Sequence, residues 1–358
     1  MRQTNPILNS DLAYIFNNIS DECDRFSNST ILITGCAGFL GFYFMNFFDK
    51  YADILGIKRI IGLDNFMLRK PKWIESLSDK CEILPFCVIK DNIANIKQAQ
   101  CADFIIHAAS IASPSFYRKF PLETLDANIW GLRNLLEFYK DRKIKGFLFF
   151  SSSEIYGDPL KVPTDEEYRG NVSCIGPRAC YDESKRFGET MCYIFATKFS
   201  LPITIARPFN NYGAGMNIYD LRVPADFARA ILENKHIEIL SDGTPKRTFC
   251  YIADAIIGYL KVLTYGKFEY FNIGIDKPEI SIRELAHIYA NAGRELFNYS
   301  SEVTFTTSND KDYLIHNPTR RCPDITKAKI LLSYNPQISV EEGVYKFLSF
   351  LKHEKAEV

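Results

Sequence analysis

Residues 30–51 read TILITGCAGFLGFYFMNFFDKY. An apolar strand runs into Gly35, Gly38 and Gly41, and a helix-forming segment follows at once. A lone Gly-x-x-Gly-x-x-Gly says little. Between a strand and a helix it says more, because the glycines permit a tight turn and let backbone N–H groups approach a pyrophosphate at the helix N-terminus. The next strand, RIIGLD at 59–64, ends on Asp64. A carboxylate there accepts hydrogen bonds from adenosine ribose hydroxyls and repels a 2′-phosphate. The stretch therefore predicts an NAD site contacted by Gly35, Ala37, Gly38, Phe39, Leu40, Asp64 and Asn65. Arg69 and Lys70 follow closely and are the cations that a 2′-phosphate would use.

Outward from this unit the pattern repeats. A third strand is expected within 82–90, with Asp91 and Asn92 at its end facing the adenine. DFIIHAAS (103–110) is a fourth strand whose small exit, at Ala108, lets the backbone pass close to the cofactor. His107 within it reads as a core histidine. A long amphipathic helix over 121–140 carries Asn128, a further expected cofactor contact. KGFLFFSS (145–152) and PITIARPF (202–209) are the fifth and sixth strands. Strand and helix alternating from 30 to 209 predict an α/β fold, a doubly wound parallel Rossmann sheet. After Pro208 the helices near 224–233, 282–291 and 324–331 mix with short strands, which suits a smaller C-terminal α/β substrate lobe. The expected division is a helical extension over 1–28, an NAD-binding domain over 29–207, and a lobe over 208–247 and 276–350. FCYIADAIIGYLK (249–261) marks a return of the chain to the first domain at about 248–275. Leu8, Leu12, Ile15, Phe16 and Ile19 give the extension one apolar stripe. Ser339 and Glu342 form a capping box for the last helix, and the tail HEKAEV is expected to fray.

Bulk properties narrow the partners. Lys+Arg and Asp+Glu both number 43, so no basic field points to nucleic acid or a membrane surface. Ten cysteines without a CxxC pair read as reduced thiols of a cytoplasmic protein, with neither a zinc site nor a disulfide framework. No apolar run approaches the roughly 20 residues of a membrane span. The N-terminus lacks the basic start and apolar centre of a signal peptide.

The chemistry concentrates between 149 and 189, where FFSSSEIYGDP leads to CIGPRACYDESKRFGE. Tyr181 and Lys185 stand one helical turn apart on one face. A tyrosine is a poor base at neutral pH, and a nearby ammonium favours its phenolate. The hydroxyl run Ser151–Ser153 ends the fifth strand. A Ser–Tyr–Lys set removes an alcohol proton while a hydride leaves the same carbon. Two amphipathic helices, 121–140 and 181–199, suit a four-helix interface with a second copy, hence a homodimer.

TGCAGFLG (34–41), Asp64, SSSEIYGD (151–158) and YDESK (181–185) together resemble the extended short-chain dehydrogenase/reductase family, in its NAD-dependent nucleotide-sugar epimerase/dehydratase group. The nearest pattern is that of the UDP-glucuronate decarboxylases, which form UDP-xylose for polysaccharide biosynthesis. HAASIASPSFY (107–117), ARPFNNYG (206–213), RTFCYIADAI (247–256) and RRCPDITKAK (320–329) carry the likeness further. The 4,6-dehydratases place Asp-Glu after the first catalytic hydroxyl; here Ser153 and Glu154 follow Ser152, and the dehydratase acid is missing. The resemblance implies a nucleotide-sugar substrate and a catalytic set of Tyr181, Lys185, Ser152, Ser153, Glu154 and Arg247. Tyr181 would take the C4 hydroxyl proton and a 4-keto sugar would lose its C6 carboxylate as CO₂. Glu154, or a water it orients, would protonate C5. Pro114, Tyr117, Asn210, Arg222 and Arg247 would bind substrate, with Arg222 on the diphosphate and Arg247 on carboxylate or phosphate. The chain departs from the pattern at Ala214-Gly215-Met216, usually Pro-Arg-Met, and at Leu221, usually Gly. Two alternatives are a 4-epimerase or 4,6-dehydratase on a UDP-, dTDP- or CDP-sugar, and a catalytically silent NAD-bound regulator.

Overall fold

The computed structural model describes residues 5–308, 311, 312, 315 and 317–356. Six strands form along the first 208 residues: β1 (Thr30–Thr34), β2 (Arg59–Asp64), β3 (Cys81–Pro85), β4 (Phe104–His107), β5 (Gly146–Phe150) and β6 (Ile203–Pro208). With the later strand Glu269–Ile273 they make one seven-stranded parallel sheet, in the order Glu269–Ile273, β6, β5, β4, β1, β2, β3. The strands are apolar on both faces because helices cover both. Leu32, Ile105, Phe147 and Phe149 pack on one side with the helices Leu132–Tyr139 and Ala179–Phe199. Ile31, Ile33, Ile106 and Leu148 pack on the other with the helices Phe39–Tyr51 and Ile252–Leu263. The chain runs outward from β1 to β3 and then crosses back to β4. Strand order thus reverses between β1 and β4, where a doubly wound sheet opens a crevice at its C-terminal edge.

Three short sheets lie beyond this edge. Lys246–Arg247 pairs antiparallel with Ile280–Ser281 and parallel with Arg320–Arg321. Asn211–Tyr212 pairs with Cys250–Tyr251, and Ile237–Ile239 with Val303–Phe305. The N-terminal helix, Pro6–Asn17, is anchored by Asp11, which is wholly buried. Its carboxylate accepts from Tyr43 Oη at 2.8 Å and Tyr251 Oη at 2.6 Å, and Lys346 Nζ lies 3.0 Å away.

Three expectations need correction. β3 ends at Pro85, with Phe86 N still donating to Asp64 O at 2.8 Å; the chain then turns at 88–90, so Asp91 and Asn92 do not stand at the strand end. The helix expected over 121–140 contains a wider π-helical turn at Ala127–Gly131. The last helix, Val340–Ala356, takes in most of the tail expected to fray; Glu357 and Val358 lie outside the described residues. Its start shows one half of the expected box, Glu342 N donating to Ser339 Oγ at 3.1 Å.

Candidate active site

A cleft of about 1850 Å³ follows the C-terminal edge of the sheet and reaches into the lobe. Its first wall is β1 and the turn after it. Gly35 has φ +71° and donates to Leu63 O at 2.8 Å. A Cβ there would lie 2.7 Å from Ala109 N, so only glycine lets β1 approach the exit of β4 this closely. Gly38 caps the helix Phe39–Tyr51 with no side-chain bond, and a Cβ on it would meet only Gly35 O, at 3.2 Å. The first amides of that helix therefore open on the cleft, as a pyrophosphate requires. Asp64 accepts from Ala37 N at 3.0 Å and from Phe66 N at 2.8 Å. Burial raises its pKa and these backbone bonds pull it back. It ties the turn to the end of β2 and keeps lone pairs for a ribose diol. The donors present fit NAD. Ala37, Phe39, Leu40, Asn65 and Ala108 line the same wall. Arg69 reaches it too, while Lys70 lies over the Phe66 ring at 5.8 Å.

Three expected cofactor contacts do not face the cleft. Asp91 accepts from Cys87 N at 2.6 Å and Asn92 caps Ala94 N at 2.9 Å. Because β3 ends early, residues 86–90 form the wall in their place. Asn128 is fully buried in the π-helical turn and donates to Ser184 Oγ at 2.9 Å.

The second group stands where β5 ends. Ser152 accepts from Glu154 N at 3.2 Å and is hydrogen-bonded with Tyr181. Lys185 Nζ donates to Phe150 O at 2.8 Å and lies 5.6 Å from the centre of the Tyr181 ring. Tyr181, Lys185, Ser152, Ser153 and Glu154 all line the cleft. Burial pushes the Tyr181 phenol up to about 12, against the Ser152 bond and the positive Arg222. The same burial pushes the Lys185 ammonium down to about 7. Lys185 is thus a weaker cation than its spacing suggests, and the phenolate needs added positive charge. Tyr117, expected on the substrate, instead backs Tyr181: the rings stack at 5.1 Å and 11°, and Tyr117 is 1% exposed. Pro114, three residues earlier, does line the cleft. His107 is a core residue as read, bonded to Thr34 Oγ1 at 2.8 Å and pushed by burial to about 3.

The third group is an arginine cluster. Arg178 and Arg321 both donate to Glu154 Oε2. Burial alone would raise the Glu154 carboxyl, but the two guanidiniums outweigh it and hold it at about 2. The pairing favours Glu154 as a carboxylate, the form that can accept from a water, which is one of the two roles expected of it. Arg247 and Arg321 face each other in register across two parallel strands. Arg247 is buried, and its guanidinium donates to the carbonyls of Lys246, Pro318 and Thr319. Among the described residues no carboxylate pairs with it; burial, then the charge of Arg321, lowers its pKa to about 9. An uncompensated guanidinium in a cleft wall is suited to an anion. Arg222 lies over Phe39 at 5.9 Å and is held by Asp220 through two bonds of 2.5 and 2.8 Å. Between them Leu221 takes φ +64°, a conformation that costs a non-glycine residue roughly 1–2 kcal/mol. Asn210 donates to Thr248 O at 2.8 Å and lines the wall.

Sequence reasoning missed Arg178, Arg321 and Asp182. Arg178 and Asp182 flank Tyr181 and were legible as neighbours of a base. Arg321 had no local signal, since only strand pairing brings it here.

The model of the NAD dependent epimerase/dehydratase family matches residues 31–274. UDP-glucuronic acid decarboxylase 5 of Arabidopsis thaliana is 35% identical over 321 residues, 89% of this chain and 88% of the relative. UDP-glucuronic acid decarboxylase 1 of Xenopus tropicalis is 33% identical over 326 residues, 90% of this chain and 72% of the relative. Among solved structures, UDP-glucuronic acid 4-epimerase of Bacillus cereus, in complex with UDP-glucuronic acid and NAD, superposes with a TM-score of 0.75 at 25% identity, over 91% of this chain and 99% of that one. UDP-glucose 4-epimerase of Thermotoga maritima, solved with UDP-glucose, gives 0.78 at 26% identity over the same shares. A glycine turn closed by Asp64 and a Ser–Tyr–Lys set at the end of β5, in a chain matched over this length, establish that the protein belongs to the NAD dependent epimerase/dehydratase family.

Proposed function

We propose that the chain oxidises C4 of UDP-glucuronate and decarboxylates the resulting 4-keto sugar, giving UDP-xylose or its 4-keto form. One observation carries this reading beyond the family. Next to the Ser152–Tyr181 pair stand a hydroxyl at Ser153 and a carboxylate, Glu154, locked by two guanidiniums. A dehydratase needs an acid where Ser153 stands to expel the C6 hydroxyl, and a serine cannot supply it. A decarboxylase needs none there, since its leaving group is CO₂. The names of the relatives at 33–35% identity support the same reaction.

Bound NAD supplies the hydride acceptor. Tyr181 takes the C4 hydroxyl proton, steadied by Ser152. The ketone at C4 stands beta to the C6 carboxylate, so the electrons of the C5–C6 bond flow toward it as CO₂ leaves. Tyr181 and Ser152 hold the enolate oxygen where negative charge develops. Arg247 grips the carboxylate or the diphosphate, with Arg222 and Asn210 further along the substrate. Arg321 and Arg178 hold Glu154 so that it aims a water at C5.

Mass spectrometry of the protein incubated with UDP-glucuronate and NAD tests this. A product lighter by CO₂ is expected. A product lighter by water points to a dehydratase, and an isomer of unchanged mass to a 4-epimerase.

The same proposal includes a homodimer. Leu122, Trp130, Phe187, Tyr193 and Ile194 are large apolar side chains left exposed on the two helical segments read as its interface. Light scattering at twice the chain mass is expected. A cytoplasmic place in polysaccharide precursor synthesis accords with ten cysteines that form no disulfide among the described residues. Among the described residues no helix is long and apolar enough to cross a membrane.

A further inference from the structure

We propose that Asp182 stores the proton that C5 receives after CO₂ leaves, a positioning residue that acts through Glu154 and the water it orients. The inference rests on the decarboxylase reading. Decarboxylation consumes one proton, and Glu154, the acid nearest the hydroxyl run, is held ionised.

Asp182 lies on the first turn of the helix Ala179–Phe199, directly after Tyr181, and is 5% exposed. Arg178 bridges it to Glu154: Nη2 donates to Glu154 Oε2, and Nε lies 3.6 Å from Asp182 Oδ2. Asp182 Oδ1, Arg178 Nε, Arg321 Nε and Tyr117 Oη are all buried with no hydrogen-bond partner among the described residues. The charged and titratable groups facing Asp182 are Glu154 from the turn after β5, Arg178 ahead of its own helix and Arg321 from the strand Arg320–Arg321. Tyr117, from the helix Pro114–Lys119, and the neighbouring Tyr181 and Cys180 also face it.

Two carboxylates here share one bridging guanidinium. Glu154 takes the direct bonds of both arginines, while Asp182 has Arg178 Nε at 3.6 Å, feels Arg321 only through its charge, and has one oxygen with no hydrogen-bond partner among the described residues. Ionising both is costly in a buried site, so the proton stays where the cations serve least. Burial first, and then the charge of Glu154, raise Asp182 to about 7. In the step itself the C5–C6 pair becomes the enolate as CO₂ departs, and C5 takes a proton from the water at Glu154. The Asp182 O–H proton replaces it, leaving Asp182 a carboxylate until solvent reprotonates it. The sign follows. Asp182 carries its proton below about 7, so pentose formation falls as pH rises through that value.

The test uses the full chain with NAD and UDP-glucuronate, following CO₂ release, NADH absorbance and pentose across neutral pH. Asp182→Asn keeps the size and neutrality of the protonated acid but has no acidic proton. It is expected to slow pentose formation about tenfold or more, abolish the alkaline limb, and leave NADH formation within about twofold. Asp182→Glu should restore the limb. An unchanged alkaline limb in Asp182→Asn overturns the proposal, as does an equal loss of NADH formation and pentose, which marks a merely structural role. Wild-type protein that forms NADH and releases no CO₂ overturns the decarboxylase reading, and this inference with it.

Discussion

The two walls of the cleft are made in opposite ways. The heart of the cofactor wall is local in the chain: β1, the glycine turn and Asp64 at the end of β2 are tied by hydrogen bonds within residues 30–66. The substrate wall gathers Arg178, Arg247 and Arg321 from three distant segments, and strand pairing sets two of them side by side. The first wall works by shape, leaving amides open where a Cβ would intrude. The second works by charge, with buried guanidiniums outnumbering the carboxylate they hold. Damage to the first wall should therefore appear as lost cofactor affinity with the chemistry intact. Damage to the second should appear as lost chemistry with cofactor affinity intact.

Tyr181 sits where the walls meet, and it gives the largest effect. Tyr181→Phe removes the oxygen that takes the C4 proton, and turnover should fall by about 10³-fold or more. NAD titration should be unaltered, since the ring and its stacking on Tyr117 remain.

Arg321→Ala breaks only the charged wall. It leaves Glu154 with one guanidinium, and CO₂ release should drop about 100-fold while NAD affinity stays within about twofold. Stability shares the effect. The folded-state pKa of Glu154 is depressed to about 2, so the stabilisation its pairing brings is present above the ordinary carboxylate range and lost as pH falls toward about 2. Denaturant unfolding should show the variant less stable at neutral pH and converging with wild type in acid.

Gly35→Ala breaks only the shaped wall. The left-handed φ and the Cβ placed against Ala109 should cost about 2 kcal/mol of stability or more. NAD binding should weaken about tenfold, with the rate at saturating NAD little changed. Asp64→Asn is the mildest test. It keeps the turn in place and removes the charge, so NAD affinity should fall several-fold and discrimination against NADP should shrink.

The same contrast explains what the sequence disclosed. The glycine turn, Asp64 and the Tyr181–Lys185 pair were legible because their chemistry is local: a turn, a strand end, one helical step. Asp91 and Asn92 were misplaced because the chain leaves the sheet after Phe86 and turns at 88–90 before it reaches them. Tyr117 and Asn128 were read as ligand contacts because polar atoms near a cleft look available. Packing instead commits one to the Tyr181 ring and the other to Ser184. The charges that favour the carboxylate form of Glu154 were not legible, because they include Arg321, 167 residues away in the chain. Leu221 was noticed as a departure from the family pattern, but that it holds a left-handed turn between Asp220 and Arg222 is visible only in three dimensions.

The most direct test of the account follows the carbon that the charged wall is proposed to release. UDP-glucuronate labelled at C6 is incubated with the protein and NAD, and the label is traced by mass spectrometry in both gas and sugar. The account predicts one labelled CO₂ for each sugar consumed by wild-type protein, and release about 100-fold slower from Arg321→Ala. Label retained in a sugar of unchanged mass would contradict it, and would make the chain an epimerase whose arginine cluster only binds.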